Sequence, residues 1–277
     1  MKIIIKQEVK RNDPKILVDF IGEYSELSKM KIKKALNDGC GWIKEKGRKS
    51  AKVARKAKKE LKTGQQVEFY YDTSVMEADV PEPVLIHETK NWGVWYKPPG
   101  LLAQGSKFGD RFSIERIISK NLNKDIFLIH RLDREASGLM IFAYNKQAAA
   151  DLGNIWKNAQ VRKVYQAQVL GILGLKDEVG KIDLALDDKE SHTTYKVVEA
   201  DEGSQTTLVE VRIKTGRFHQ IRRHFNMIDH PVMGDPRYGE DNKNKDGLKL
   251  VASQLSFKDP FAKKAVVINL QKDFSLF

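Results

Sequence analysis

The run His130-Arg131-Leu132-Asp133-Arg134-Glu135-Ala136-Ser137-Gly138 sets one carboxylate, Asp133, between two arginines in a short polar loop. A carboxylate beside cations stays ionised, which makes it a competent nucleophile or base at neutral pH. The competing structural reading is that Asp133 braces its own loop, as loop Asp residues commonly do. Two further sets of reactive side chains lie downstream. Arg162-Lys163-Val164-Tyr165 places a phenol behind two cations, where it can stack on a planar ring, pass a proton or simply pack in a core. In residues 215–228, Ile221, Phe225 and Ile228 form one helical stripe, and His219, Arg222 and Asn226 form another. Anchoring by the apolar stripe lets the opposite one present a fixed guanidinium. His219, His224 and His230 have no Glu or Cys at ligand spacing, so no metal site is expected.

These groups need rigid supports. Residues 127–129 and 139–143 are apolar runs that read as buried strands flanking the Asp133 loop. Trp92-Gly93-Val94-Trp95-Tyr96-Lys97-Pro98-Pro99-Gly100 reads as a strand closed by a rigid turn. Residues 147–157 have helical spacing, while 164–169, 194–198 and 207–213 alternate as strands do. Frequent strands with few helices between them predict an α+β domain on a mixed, largely antiparallel sheet.

The first 74 residues differ in character. They hold 19 Lys and Arg against 10 Asp and Glu, which accounts for most of the chain's net charge of +12. Such asymmetry is the footprint of a polyanion-binding module beside a less charged domain, the bland alternative being a solvated lysine face. Leu17, Phe20, Ile21 and Tyr24 predict a short helix. Ser28 caps a second one that buries Ile32, Ala35 and Leu36 and stops at Gly39. Lys29, Lys31, Lys33 and Lys34 crowd the second helix. Residues 44–62 carry ten Lys and Arg, among them Arg48, Lys49, Lys52 and Arg55, and residues 52–61 admit a helix. Residues 73–83 turn acidic and contain Pro81 and Pro83, which reads as a linker. The expected division is therefore a basic module over 1–74, a linker over 75–83 and a larger domain over 84–277. No run approaches the ~18 apolar residues of a membrane span, and the N-terminus has no leader pattern. The single cysteine, Cys40, excludes an internal disulfide. A cytoplasmic monomer without cofactor is expected.

The Asp133 run resembles the signature of RluA-type pseudouridine synthases, His-Arg-Leu-Asp, two variable residues, then Thr-Ser-Gly, with Ala136 in the threonine position. The strand ending in Lys97-Pro98-Pro99-Gly100, the Tyr165 segment and Gly216-Arg217-Phe218-His219-Gln220-Ile221-Arg222 are similar to the family's other motifs. Phe218 stands where threonine is usual, and Leu250-Val251-Ala252 lacks a usual histidine. The resemblance implies isomerisation of uridine to pseudouridine in RNA without a cofactor. It implies Asp133 as the catalytic group, Tyr165 stacking on the uracil or relaying a proton, and Arg222 paired with Asp133. Arg131 would fill the space left by a flipped uridine. His130, Lys97, Arg217, His219 and Gln220 would contact the substrate. The first 74 residues resemble an S4-like RNA-binding fold, which implies large-subunit ribosomal RNA as substrate, with transfer RNA second. An inactive RNA-binding protein of the same fold is the alternative, and intact Asp133, Tyr165 and Arg222 argue against it.

Overall fold

The computed structural model describes residues 1–276, which divide into two compact units. Residues 1–80 and 104–120 form the first, and residues 81–103 with 121–276 form the second.

The first unit contains β1 (Lys2–Glu8), α1 (Leu17–Glu23), α2 (Lys29–Asn37), β2 (Gly41–Lys44), β3 (Lys52–Val53), β4 (Gln66–Asp72) and α3 (Thr73–Glu77). Its antiparallel sheet runs β1-β4-β2-β3. Leu17, Phe20 and Ile21 from α1 pack with Ile32, Ala35 and Leu36 from α2 against Val67 and Phe69 of the sheet, so the two helical stripes form the core. The Ser28 hydroxyl accepts the Lys31 N–H at 3.3 Å, and Gly39 adopts a φ of 82° just past the helix end.

Three features differ from expectation. Residues 52–61 form no helix; they make the two-residue β3 and turns, with Leu17 N donating to Lys59 O and Leu61 N to Lys15 O instead. The acidic stretch is only partly a linker, because Thr73–Glu77 is helical, is capped by Asp72 and buries Met76. Residues 104–120, expected in the second domain, belong to the first unit. There Phe108 O accepts from Cys40 Sγ and Lys107 O accepts from Trp42 Nε1, both at 3.3 Å, while Asp110 pairs with Arg55.

The second unit carries β5 (Val84–Glu88), β6 (Trp92–Lys97), β7 (Phe127–Leu128), β8 (Ser137–Ala143), α5 (Lys146–Lys157), β9 (Arg162–Leu170), β10 (Val179–Ile182), β11 (Thr193–Asp201), β12 (Thr206–Ile213), α6 (Gln220–Met227), β13 (Leu250–Lys258) and β14 (Ala265–Asn269). Helix α4 (Ile114–Leu122) carries the chain back from the first unit. One sheet runs β10-β11-β12-β9-β13-β8-β6-β5, with β14 beside β13 and β7 beside β8. Every pairing is antiparallel except β13 with β8. All seven residues of β8 are buried, as the apolar run predicts. At the parallel junction Gly138 has a φ of 117°, and a Cβ there would lie 2.4 Å from Ala252 N and O, so only glycine lets the two backbones approach. One apolar cluster packs α5 against β8 through Ala148, Leu152 and Leu139; another packs α6 against β9 and β12 through Ile221, Phe225, Ala167 and Val211.

Candidate active site

The loop from 129 to 136 leaves β7 and enters β8, so both its ends are held by the sheet. Beneath it lies Lys97, the last residue of β6 and fully buried. Its Nζ donates to the carbonyls of Pro98, Leu101 and Arg134 at 3.1, 2.9 and 3.3 Å. Gly100 N also donates to Arg134 O at 2.8 Å, so the Lys-Pro-Pro-Gly turn clasps the Asp133 loop from below. Burial pushes the Lys97 ammonium down to about 7, against the pull of Asp133 and Glu135. The expectation that Lys97 touches substrate is therefore corrected. All three of its hydrogen bonds go to backbone carbonyls, two in its own turn and one, Arg134 O, in the Asp133 loop, so it braces the turn against that loop.

Asp133 projects from this loop with 25% of its side chain exposed, and Arg222 Nη1 donates to its Oδ2 at 3.0 Å. Arg222 is 1% exposed, so helix α6 buries the guanidinium rather than presenting it to solvent. Its Nε and Nη2 donate to Asp235 Oδ2 and Oδ1 at 2.6 and 2.8 Å, and Nη1 also reaches Glu135 at 3.3 Å. A bidentate Arg–carboxylate pair fixes the plane of the guanidinium, which aims Nη1 at Asp133. Asp235 Oδ1 also accepts the N–H groups of Arg237 and Tyr238, at 2.9 and 3.2 Å, tying that loop to the pair.

Beside Asp133 opens a cavity of about 350 Å³, lined by Arg131, Tyr165, Trp156, Lys163, Arg217 and Ile213, among others. Tyr165 is buried; desolvation and then the Asp133 charge push its phenol up, so it stays protonated. Arg131 is exposed at the rim. Arg217 lines the cavity while its Nε and Nη2 donate to Glu190 O at 3.1 and 3.0 Å. His219 sits at the N-terminus of α6 in a left-handed conformation, with a φ of 52°. Its Nε2 accepts from Arg222 Nη1 at 3.1 Å and its Nδ1 bonds the Tyr238 hydroxyl at 3.2 Å. Burial lowers its pKa, consistent with a neutral ring accepting from Arg222.

His130 and Gln220 also line the cavity, but their polar atoms face the protein. His130 Nε2 accepts the Ile141 N–H at 3.2 Å, and its ring stacks on Trp156 at 3.9 Å. Burial, with Lys163 adding to it, pushes this imidazole down to about 3. The Gln220 carboxamide accepts from Thr215 Oγ1 and Arg217 N and donates to His192 O and Thr193 Oγ1. Substrate contact through these two polar groups is corrected to support of the cavity wall. Asp235, Glu135, Lys163 and Trp156 were not singled out as site residues from the sequence. Lys163 had a signal, two residues before Tyr165 on the same face of a strand.

In the first unit Lys31, Lys33 and Lys34 are exposed on α2, whereas Lys29 pairs with Asp19 at 2.7 Å. Arg48, Lys49 and Lys52 are exposed around the β2–β3 turn, and Arg48 and Lys52 join Lys56, Lys58 and Lys59 in lining a basic groove. Arg55 departs from its expected role, since its guanidinium is held by Asn37 O and Asp110. Among the described residues no group of three or more His, Cys, Asp or Glu is placed to hold a metal ion. None of the helices among those residues is long and apolar enough to cross a membrane.

The sequence profile of the RNA pseudouridylate synthase family matches residues 91–227, which contain Asp133, Tyr165 and Arg222. The tRNA pseudouridine synthase C of Vibrio vulnificus is 30% identical over 213 residues, covering 64% of this chain and 85% of that protein. The dual-specificity RNA pseudouridine synthase RluA of Vibrio parahaemolyticus is 33% identical, covering 59% and 73%. This chain belongs to the RNA pseudouridine synthases of the RluA type. The synthase fold is shared with human RNA pseudouridylate synthase domain containing 1, at a TM-score of 0.60, 22% identity, and coverage of 71% of this chain and 86% of that one. As a member of the family, the synthase forms pseudouridine in RNA, an isomerisation.

Proposed function

We propose that this synthase converts uridines in structured RNA with Asp133 as its catalytic group. The observation that carries the reading is the Asp133 carboxylate lining an open cavity, held through Oδ2 by a buried arginine that Asp235 itself immobilises. The cavity lies at the small end of the range for ligand pockets, a volume suited to one nucleoside and not to a duplex. The target uridine must therefore leave its stack, at a cost of a few kcal/mol.

In the reaction the N1–C1′ bond breaks, the uracil turns, a C5–C1′ bond forms, and the proton leaving C5 is balanced by one gained at N1. Asp133 acts on the ribose, as a nucleophile at C1′ or as a base toward a sugar proton. Arg222 keeps the carboxylate aimed. Tyr165, protonated and buried, packs against the uracil and is the hydroxyl available for proton relay. Arg131 at the rim takes the place vacated by the flipped nucleotide.

The first unit is proposed as an S4-like RNA anchor, supported by its two-helix-and-sheet core and its exposed lysines. That module favours large-subunit ribosomal RNA as the substrate. The name of the Vibrio vulnificus relative favours transfer RNA as the second reading. The test is incubation of wild type and Asp133→Asn with unmodified ribosomal and transfer RNA, followed by carbodiimide-dependent primer stops. Stops with wild type alone, on one RNA class, are expected, with RNA binding retained in the variant. Stops with Asp133→Asn as well would remove Asp133 from the chemistry.

A further inference from the structure

Phe218 is one of the residues by which this chain departs from the family pattern, and it is 55% exposed. Of the described Phe, Tyr and Trp side chains, only Phe218 and Tyr24 stand open to solvent. A single exposed aromatic is ordinary on a protein surface. Its setting here is not. The Phe218 ring lies parallel to His219, with centroids 3.7 Å apart and planes within 19°. His219 is in turn bonded to Arg222 and to the Tyr238 hydroxyl, so the ring rests on a residue bonded to the arginine that holds Asp133. The exposed Arg237 guanidinium lies 5.9 Å from the Phe218 ring centre, and its backbone N–H is fixed by Asp235. Phe218 also follows Arg217 and precedes His219, both of which line the catalytic cavity. An aromatic ring stacked on a cavity-lining histidine, and a guanidinium beside it whose backbone is tied to Asp235, both open to solvent, are the two side-chain planes on which nucleobases stack.

We propose that Phe218, assisted by Arg237, is a stacking platform for the nucleobase next to the target uridine, and so a further substrate-positioning residue of this synthase. When the uridine leaves its stack, the neighbouring base loses a partner, and the Phe218 ring replaces it. Because every base has a π-face, the platform recognises the presence of a flanking base more than its identity. The inference rests on the uridine occupying the Asp133 cavity.

The test uses fluorescence anisotropy with the full-length protein and a synthetic RNA hairpin whose loop holds one uridine between two adenosines. Two further hairpins lack the base on one or the other side of the uridine. Wild type is expected to bind one abasic hairpin about 5- to 100-fold more weakly than the intact one, the range for loss of one base–aromatic stack. Phe218→Leu should lose that discrimination and bind the intact hairpin as weakly as the abasic one. Phe218→Trp should restore it, and the thermal midpoints of all three proteins should coincide. Equal binding of all hairpins by wild type, or discrimination that survives in Phe218→Leu, would overturn the proposal. The readout needs no turnover, so a failure of the Asp133 reading appears in the primer-stop experiment and not here.

Discussion

Each nitrogen of the Arg222 guanidinium faces a carboxylate, Nε and Nη2 on Asp235 and Nη1 on Asp133 and Glu135. Removing one member of a buried pair leaves an uncompensated charge, which costs about 3–5 kcal/mol. Asp235 therefore sets the geometry from inside, while Asp133 is the partner that faces the cavity. The sequence motifs made Asp133, Tyr165 and Arg222 legible. Asp235 was invisible as a partner because nothing in its own Gly234-Asp235-Pro236 turn names an arginine one helix away. His130 shows the opposite error, for a histidine beside the catalytic loop reads as a substrate contact until its ring is seen stacked and bonded inward. That burial has a measurable sign. The unfolded chain protonates a histidine near 6.5, whereas folded His130 resists protonation down to about 3. Its neutral form thus contributes stability that is complete above pH ~6.5 and lost as pH falls toward 3. His219 and His224 act in the same direction, so the comparison must isolate one ring. Urea midpoints should fall less steeply between pH 6.5 and 4 in His130→Gln than in wild type; parallel slopes would mean that His130 titrates normally.

At the level of elements, the site depends on how closely β8 approaches β13. The Ser137-Gly138 step ends the Asp133 loop and begins the strand, and Gly138 is pressed against the Ala252 backbone with a positive φ. Gly138→Ala adds both a close contact and backbone strain, for about 2–5 kcal/mol of destabilisation. A drop in thermal midpoint with parallel loss of pseudouridine formation is expected; an unchanged midpoint would show that the junction can open freely. The strands were legible because β8 is apolar throughout and β9, β11 and β12 alternate. The segment at 52–61 was not, since its lysines and alanines suit a helix locally. Long-range pairing decides its form, with Ala54 N bonded to Gly41 O and Leu61 N to Lys15 O.

At the scale of the molecule, charge is segregated. Lys31, Lys33 and Lys34 stand exposed on α2 and belong to the segment that holds most of the net positive charge. Each phosphate contact steepens the fall of affinity with salt by about one logarithmic unit per unit of log salt. Changing all three lysines to glutamine should weaken RNA binding and flatten that slope by up to about three, while leaving the pattern of primer stops intact. An unchanged slope would mean that α2 faces away from the RNA. The boundary between the units was only half legible. Proline and acidic residues mark the passage near residue 80, but residues 104–120 carry no compositional sign of returning to the first unit.

That return has a consequence for biosynthesis. The chain crosses between its units at residues 80/81, 103/104 and 120/121, so the amino-terminal unit is not a bead threaded on a string. When residue 80 has been translated, the carbonyls of Lys107 and Phe108 that receive Trp42 and Cys40 do not yet exist. At about 5–20 residues per second the nascent sheet waits about 1–6 s for them. During that interval Arg55 also lacks Asp110, and a basic, half-closed module stands exposed beside the ribosome's own RNA.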